Sequence, residues 1–443
     1  MPAFGRHHHV TRKIGPDHPL AGKTIYIPMM PEGSSRAFAS CFRWLGIDAC
    51  TTPMSNERTL ELAAKYLCGD ECYPAKVTMG DFLRVLEQPG VDPARTVFFQ
   101  PTAEGPCRFG QYAPYLRKIL NEAGYGDVQI LSPTSENGYA GVGDIAGPFV
   151  RASWRTIVAG GVLYKALLQT RPYETRQPTG AADRAYEESL TDYCQTLEAS
   201  CAEPACQLKS LVESMRRARE RFRRVPAHYD PDIPLIGVVG EIFCRLNTFS
   251  NEDLVRKLEG YGAEGWLSDI AEWVTYANQD QVRRLKLRGQ TVSLAMVGAM
   301  LRKHVQLADE HALAAPFHDL FVGHEEPHDI REVLELAWPY LPADGALGEM
   351  VLSVGKAAYL AKHGADGIID ISPFTCMNGI VSESIYPKLS KDYGGIPIRN
   401  FYFDGTQSDL DRDLGIYLEL VRSYREKKSY KRSYPPCFAQ PVA

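Results

Sequence analysis

Four cysteines stand in loops marked by glycine or proline, where packing alone gives a thiol little purpose. They are Cys72 in Cys68-Gly69-Asp70-Glu71-Cys72-Tyr73-Pro74, Cys107 in Gly105-Pro106-Cys107-Arg108-Phe109-Gly110-Gln111-Tyr112, Cys244 in Gly240-Glu241-Ile242-Phe243-Cys244, and Cys376 in Pro373-Phe374-Thr375-Cys376-Met377. Cys107, Cys244 and Cys376 each follow a strand-like run and precede a helix-like one. Ligands of open α/β sheets bind beyond the carboxyl ends of the strands. Thiolates gathered there from distant parts of a chain can hold a soft metal centre. A structural zinc site favours paired ligands close in sequence, and only Cys68 and Cys72 are so paired. Dispersed thiolates fit an iron–sulfur cluster better. The flanking Gly and Pro residues, which allow backbone amides to approach an anionic centre, fit zinc thiolates equally well.

Other residues near these loops are weaker candidates. Glu104 and Arg108 flank Cys107 and could polarise a substrate or balance cluster charge, although an ion pair accounts for them as well. Glu241 follows a strand and could face the same space, whereas Tyr112, Asn247 and Asn251 read as loop and cap residues. His304, His311 and His318 recur at a spacing of two helical turns, too far apart for neighbours to share an ion, and read as surface residues. The Gly-rich stretch Gly138–Gly143 reads as a loop and not a dinucleotide site. No Gly-x4-Gly-Lys-Ser/Thr phosphate loop occurs, so any ATP dependence would come from a partner.

The elements that must position these residues alternate. Strand-like runs at Lys23–Pro28, Asp48–Thr52, around Val97 and at Val128–Leu131 are separated by helical runs at Ser34–Leu45, Glu57–Tyr66, Lys76–Glu87 and Tyr112–Ala123, with Ser34 or Ser35 as a cap. From about Phe149 to Arg224 the pattern is helical only, and the charged run at its end reads as a solvated helix face, not an RNA site. Strands return at Leu235–Gly240, Glu264–Leu267, Gly367–Ile371 and Pro397–Phe403, with a helical insertion from Ile270 to Leu313. Strands alternating with helices imply parallel α/β units.

A chain of 443 residues exceeds one ordinary core. Apolar content of 44%, charged content of 23%, a net charge of −5 and a pI near 6.2 argue against a nucleic acid or anionic membrane partner. No apolar run reaches the roughly 18 to 20 residues that span a bilayer. The polar stretch Met1–Pro19 does not read as a secretory signal, so a cytoplasmic protein is expected. Eleven cysteines in a reducing compartment argue against a disulfide framework. Cys41, Cys50, Cys194, Cys201 and Cys206 then read as packing residues, and Cys437 lies in a Pro-rich tail without a specific task.

The four cysteine loops, together with Asn247-Thr248-Phe249-Ser250-Asn251 and in this order, resemble the 2-hydroxyacyl-CoA dehydratase component family. The likeness extends to the dehydratase-like module of activase-fused proteins and to double-cubane cluster proteins, and runs from about Lys23 to Arg422. It implies an oxygen-sensitive iron–sulfur protein, reduced one electron at a time by an ATP-hydrolysing activase. The cluster would be a [4Fe–4S] cubane or a double-cubane [8Fe–9S] centre, acting on an acyl-CoA or other small molecule. Cys72, Cys107 and Cys376 are the expected ligands, with Cys68 and Cys244 as further candidates. Cys41 would complete a set of six thiolates, although it reads first as a packed helical residue. A homodimer, or a heterodimer with a related subunit, is implied, and a non-catalytic electron carrier remains the alternative. The expected fold is α/β: two Rossmann- or flavodoxin-like parallel-sheet lobes around a cleft, at 21–148 and 231–426, joined by a helical segment at 149–230. A disordered head (1–20) and a tail (427–443) flank them.

Overall fold

A computed structural model describes residues 14–103, 105, 107–133, 141–174, 180–342, 348–406 and 409–439. The first half runs β1 (Thr24–Ile27), α1 (Glu32–Trp44), β2 (Asp48–Thr51), α2 (Glu57–Ala63), α3 (Tyr73–Leu86), β3 (Thr96–Phe99), α4 (Tyr112–Glu122) and β4 (Gln129–Leu131). Its strands form a parallel sheet in the order β2-β1-β3-β4, with Thr24 opposite both Asp48 and Thr96. Three helices follow: α5 (Ala146–Leu168), α6 (Ala181–Glu198) and α7 (Pro204–Arg223). The second half runs β5 (Leu235–Gly240), α8 (Ile242–Leu246), α9 (Leu254–Gly260), β6 (Glu264–Leu267), α10 (Ile270–Leu287), α11 (Leu294–Ala314), α12 (Ile330–Ala337), α13 (Glu349–Lys362), β7 (Gly367–Pro373), α14 (Met377–Asp392), β8 (Ile398–Phe403) and α15 (Leu410–Lys427).

The second sheet is also parallel, in the order β6-β5-β7-β8. Both sheets therefore reverse their winding at one point, between β1 and β3 and between β5 and β7. Crevices for ligands form at such points. The sequence of each strand matches its place. Leu-Ile-Gly-Val-Val-Gly in β5 and Gly-Ile-Ile-Asp-Ile-Ser-Pro in β7 are buried throughout, as central parallel strands must be, while the edge strand β2 alternates.

The helical segment packs as a layer of the first half as well as linking the two. Phe149, Trp154 and Leu163 of α5 share a core with Phe42 and Trp44 of α1, with Leu190 and Phe222, and with Leu313 and Phe317 from the end of the insertion. Arg155, fully buried, spans the join by pairing with Asp309 (2.8 Å) and Gln207 (2.8 Å). The charged run in α7 is neutralised by carboxylates: Arg217 and Arg221 meet Asp192, and Arg219 meets Asp319. The halves also interlock directly, since Tyr73 and Val77 of α3 enter the core formed by Ile236, Val238, Ile369 and Ile371.

Three expectations, on the α1 cap, the head and the cysteine pair, need correction. α1 begins at Glu32 behind Pro31, and Ser35 does not cap it; its hydroxyl instead lies 2.9 Å from Pro28 O and 2.7 Å from Met30 O, tying down the loop. Residues 14–20 of the head are packed: Leu20 is buried, and the Ile14 N–H donates to Leu45 O (2.9 Å); residues 1–13, with the three-histidine run, lie outside the described residues. The tail is docked by Arg432, which pairs with Glu264 at 2.6 Å, and by Phe438, which packs against Tyr173 and Tyr229. Cys201 and Cys206 are disulfide-bonded at the entry to α7, where their Cα atoms stand 6.3 Å apart, within ordinary bridging distance. Among the described residues no helix is long and apolar enough to cross a membrane.

Candidate metal centre

Each of the four loop cysteines begins or nearly begins a helix. Cys72 is the N-cap of α3, Cys376 that of α14, and Cys107 precedes the short turn Arg108–Gln111 that leads into α4. Cys244 lies one turn beyond β5, in α8. Cys107 thus follows β3, while Cys244 and Cys376 follow the two central strands of the second sheet. The local sequence explains the placement. Pro74 suits the first turn of a helix, and Gly240 turns the chain off β5 at φ +117°, where a Cβ would fall 2.1 Å from Ile371 O. Thr375, immediately before Cys376, holds φ +65°, a costly conformation for a β-branched residue and one that collects at functional sites.

The thiols share one electrostatic neighbourhood. Cys107 and Cys376 both feel the carboxylates of Glu241 and Glu349; Cys107 feels Cys72, and Cys244 feels both Cys72 and Cys376. Two of the cysteines come from the first half and two from the second. Burial pushes Cys107 up to about 11, Cys376 up to about 12, and Cys72 and Cys244 upward too. Cys107 is exposed on one side, so water screens part of its shift. Backbone amides act in the opposite direction: those of Ala75, Phe109 and Asn378–Gly379 favour the thiolates of Cys72, Cys107 and Cys376. Burial prevails, so in the absence of a cation these groups stay protonated at neutral pH.

The surrounding groups are acidic and buried. Glu241 accepts from the Phe243 and Cys244 amides (3.0 and 2.8 Å), and Glu349 from the Ile242 amide (2.8 Å) and Asn378 Nδ2 (3.3 Å). Burial raises both, and the charge of Glu241 adds to the rise of Glu349, to about 8. Two carboxyls so placed cannot both ionise freely. Arg245, 6% exposed, lends its positive charge to both and donates from Nη1 to Gly240 O (2.8 Å), while its Nε has no partner among the described residues. Tyr112 Oη lies 2.7 Å from Cys72 Sγ, and burial keeps the phenol protonated, so it is the donor to a Cys72 thiolate.

The remaining candidates are less central. Cys68 is exposed, and its N–H donates to Glu71 Oε1 (3.1 Å). Arg108 donates to Asp70 O (2.6 Å), joining the Cys72 and Cys107 loops, and its charge also favours the Cys72 thiolate. Glu104 lies outside the described residues. Asn247 donates to Met29 O (2.8 Å) and Asn251 to the carbonyls of Cys244 and Arg245 (3.0 Å each), as loop-holding residues do. Cys41 is fully buried, its sulfur against Phe149 O and Ser153, so it packs as read and does not join the set. Sequence reasoning missed Glu349 and Arg245 and underrated Tyr112. An acid opening a helix, or an arginine inside one, is too ordinary a signal.

Among the described residues no group of three or more His, Cys, Asp or Glu is placed to hold a single metal ion. The donor chemistry nevertheless fits an iron–sulfur cluster: soft sulfur ligands, helix-start amides directed at them, and a buried cation to offset negative charge. No protein-family model and no curated protein matches this chain.

Proposed function

We propose that the chain holds an iron–sulfur cluster through Cys72, Cys107 and Cys376, leaving one iron open, and serves as a low-potential reductase or 2-hydroxyacyl-CoA dehydratase-like component. The supporting observation is that thiols from four separate loops, two in each half, share one electrostatic neighbourhood with a buried carboxyl pair. The motif likeness to the dehydratase component family points the same way. In this reading two flavodoxin-like lobes enclose the site in a cleft. When bound, the cluster supplies one-electron reducing power. The protein's own groups supply the rest: Glu349 holds a proton at neutral pH and can deliver it, Tyr112 donates to the Cys72 sulfur, and Arg245 offsets negative charge. Electrons would come from an ATP-hydrolysing activase, and the protein would work in the cytoplasm as a homodimer or with a related subunit. A monomer in sedimentation of the loaded protein would count against that assembly.

The fourth thiol favours a second reading. A cluster ligated by all four sulfurs, Cys244 included, has no open iron, and the chain would then be a non-catalytic electron carrier. Iron and acid-labile sulfide analysis of anaerobically purified protein tests the whole proposal. About four iron per chain would mean one cubane and about eight a double cubane. Zinc without sulfide would overturn it.

A further inference from the structure

A cavity of about 530 Å³, lined by none of the four site cysteines, opens between α5, α11 and the carboxyl end of β6. Its walls are largely apolar, with Val158, Leu168, Leu307 and Phe321 among them. The lysines that reach it are already matched by acids. Lys165 pairs with Glu326, Lys356 with Glu326 and Glu272 (3.0 Å), and Lys303 with Asp329 (2.7 Å). Three lining acids have no such match among the described residues: Glu325, whose Oε2 accepts from the Gly323 N–H (2.9 Å), and Asp269 and Glu310, which are less satisfied still. Asp269 takes only the amide of Ile270 (2.6 Å), and Glu310 has no hydrogen bond or salt bridge among the described residues. The fold makes room for Asp269: a Cβ on Gly161 would fall 1.7 Å from Asp269 Oδ2.

A second feature calls for a polar guest. Gln169 lines the same cavity at 4% exposure, with neither atom of its side-chain amide hydrogen-bonded among the described residues. The walls also already accommodate an ammonium beside aromatic faces, since Lys165 Nζ lies 5.2 Å from the Trp266 ring and 4.9 Å from that of Phe321. We propose that this cavity binds a small organic cation, its ammonium seated between Asp269 and Glu310 and its apolar body against Val158, Leu168 and Phe321. Burial, followed by the charge of Glu326, pushes Glu310 up to about 7, and burial does the same to Asp269; an ammonium would relieve both. This inference is independent of the cysteine site.

Calorimetric titration of the full chain with phenethylammonium, phenethyl alcohol and phenylpropionate tests it. The ammonium should bind, the alcohol at least about tenfold more weakly, and the carboxylate not at all. Glu310→Gln and Asp269→Asn should each weaken the ammonium by about tenfold, with circular dichroism as a folding control. Charge selectivity in the parent chain stands as a test even if a variant misfolds. Absent ammonium binding, equal binding of the alcohol or carboxylate, or an unchanged affinity in folded Glu310→Gln would each overturn the proposal.

Discussion

Glu349 shows what single residues contribute to the site. Its carboxyl is raised to about 8 by burial and by Glu241, so between the unfolded value of about 4.3 and pH 8 the folded chain holds a proton that the unfolded chain has lost. Stability from this group is therefore full at low pH and declines as pH rises through that window, by at most about 1.4 kcal/mol per pH unit. Glu349→Gln should remove the decline. Urea unfolding of the metal-free chain at pH 5 and pH 8 should show a smaller pH effect in the variant, and equal pH effects in the two proteins would contradict this. The cysteines were legible because a thiol beside Gly or Pro in a loop is unusual. Glu349, Arg245 and the Tyr112–Cys72 contact were not, because each depends on a neighbour more than 30 residues away in the chain.

At the scale of elements, α5 carries its information in two glycines. Helical Gly→Ala normally stabilises by up to about 1 kcal/mol. At Gly160 the new Cβ would fall 2.4 Å from Ser34 Oγ, and at Gly161 1.7 Å from Asp269 Oδ2. Gly160→Ala and Gly161→Ala are therefore expected to destabilise by about 1–3 kcal/mol, through overpacking. Gly298→Ala in α11 and Gly415→Ala in α15, where none of the described residues lies within 4 Å of the new Cβ, should be neutral or stabilising. Denaturant midpoints of the four variants decide the matter; a stabilising Gly160→Ala would contradict the packing described. The eight strands among the described residues were readable from short apolar runs between Gly and Pro signals. Helix starts were less so. α3 opens at Tyr73 and not Lys76, because a cysteine N-cap hides the boundary.

At the scale of the whole molecule, what the sequence concealed is how distant segments meet. Arg432, in the tail beyond the second lobe, is 7% exposed and paired with Glu264 of β6. Burial opposes ionisation there, yet Arg432 and His324 hold Glu264 down to about 2. Its stabilising share is complete above the unfolded carboxyl range and is lost as pH falls toward 2. Arg432→Met should strand a buried carboxylate and cost about 3–5 kcal/mol, measured by denaturant unfolding at pH 7; a loss below about 1 kcal/mol would contradict the anchoring role. The joining of the two cysteine-bearing halves is the same kind of fact, since α3, which Cys72 caps, packs into the second core, where Cys244 feels the charges of both Cys72 and Cys376. The most direct test of the central claim is iron content and visible absorption of anaerobically prepared Cys72→Ala, Cys107→Ala and Cys376→Ala. Each should lose most of its iron while keeping its α/β circular dichroism, whereas Cys201→Ala and Cys437→Ala keep theirs; full iron in folded Cys107→Ala and Cys376→Ala would contradict the account.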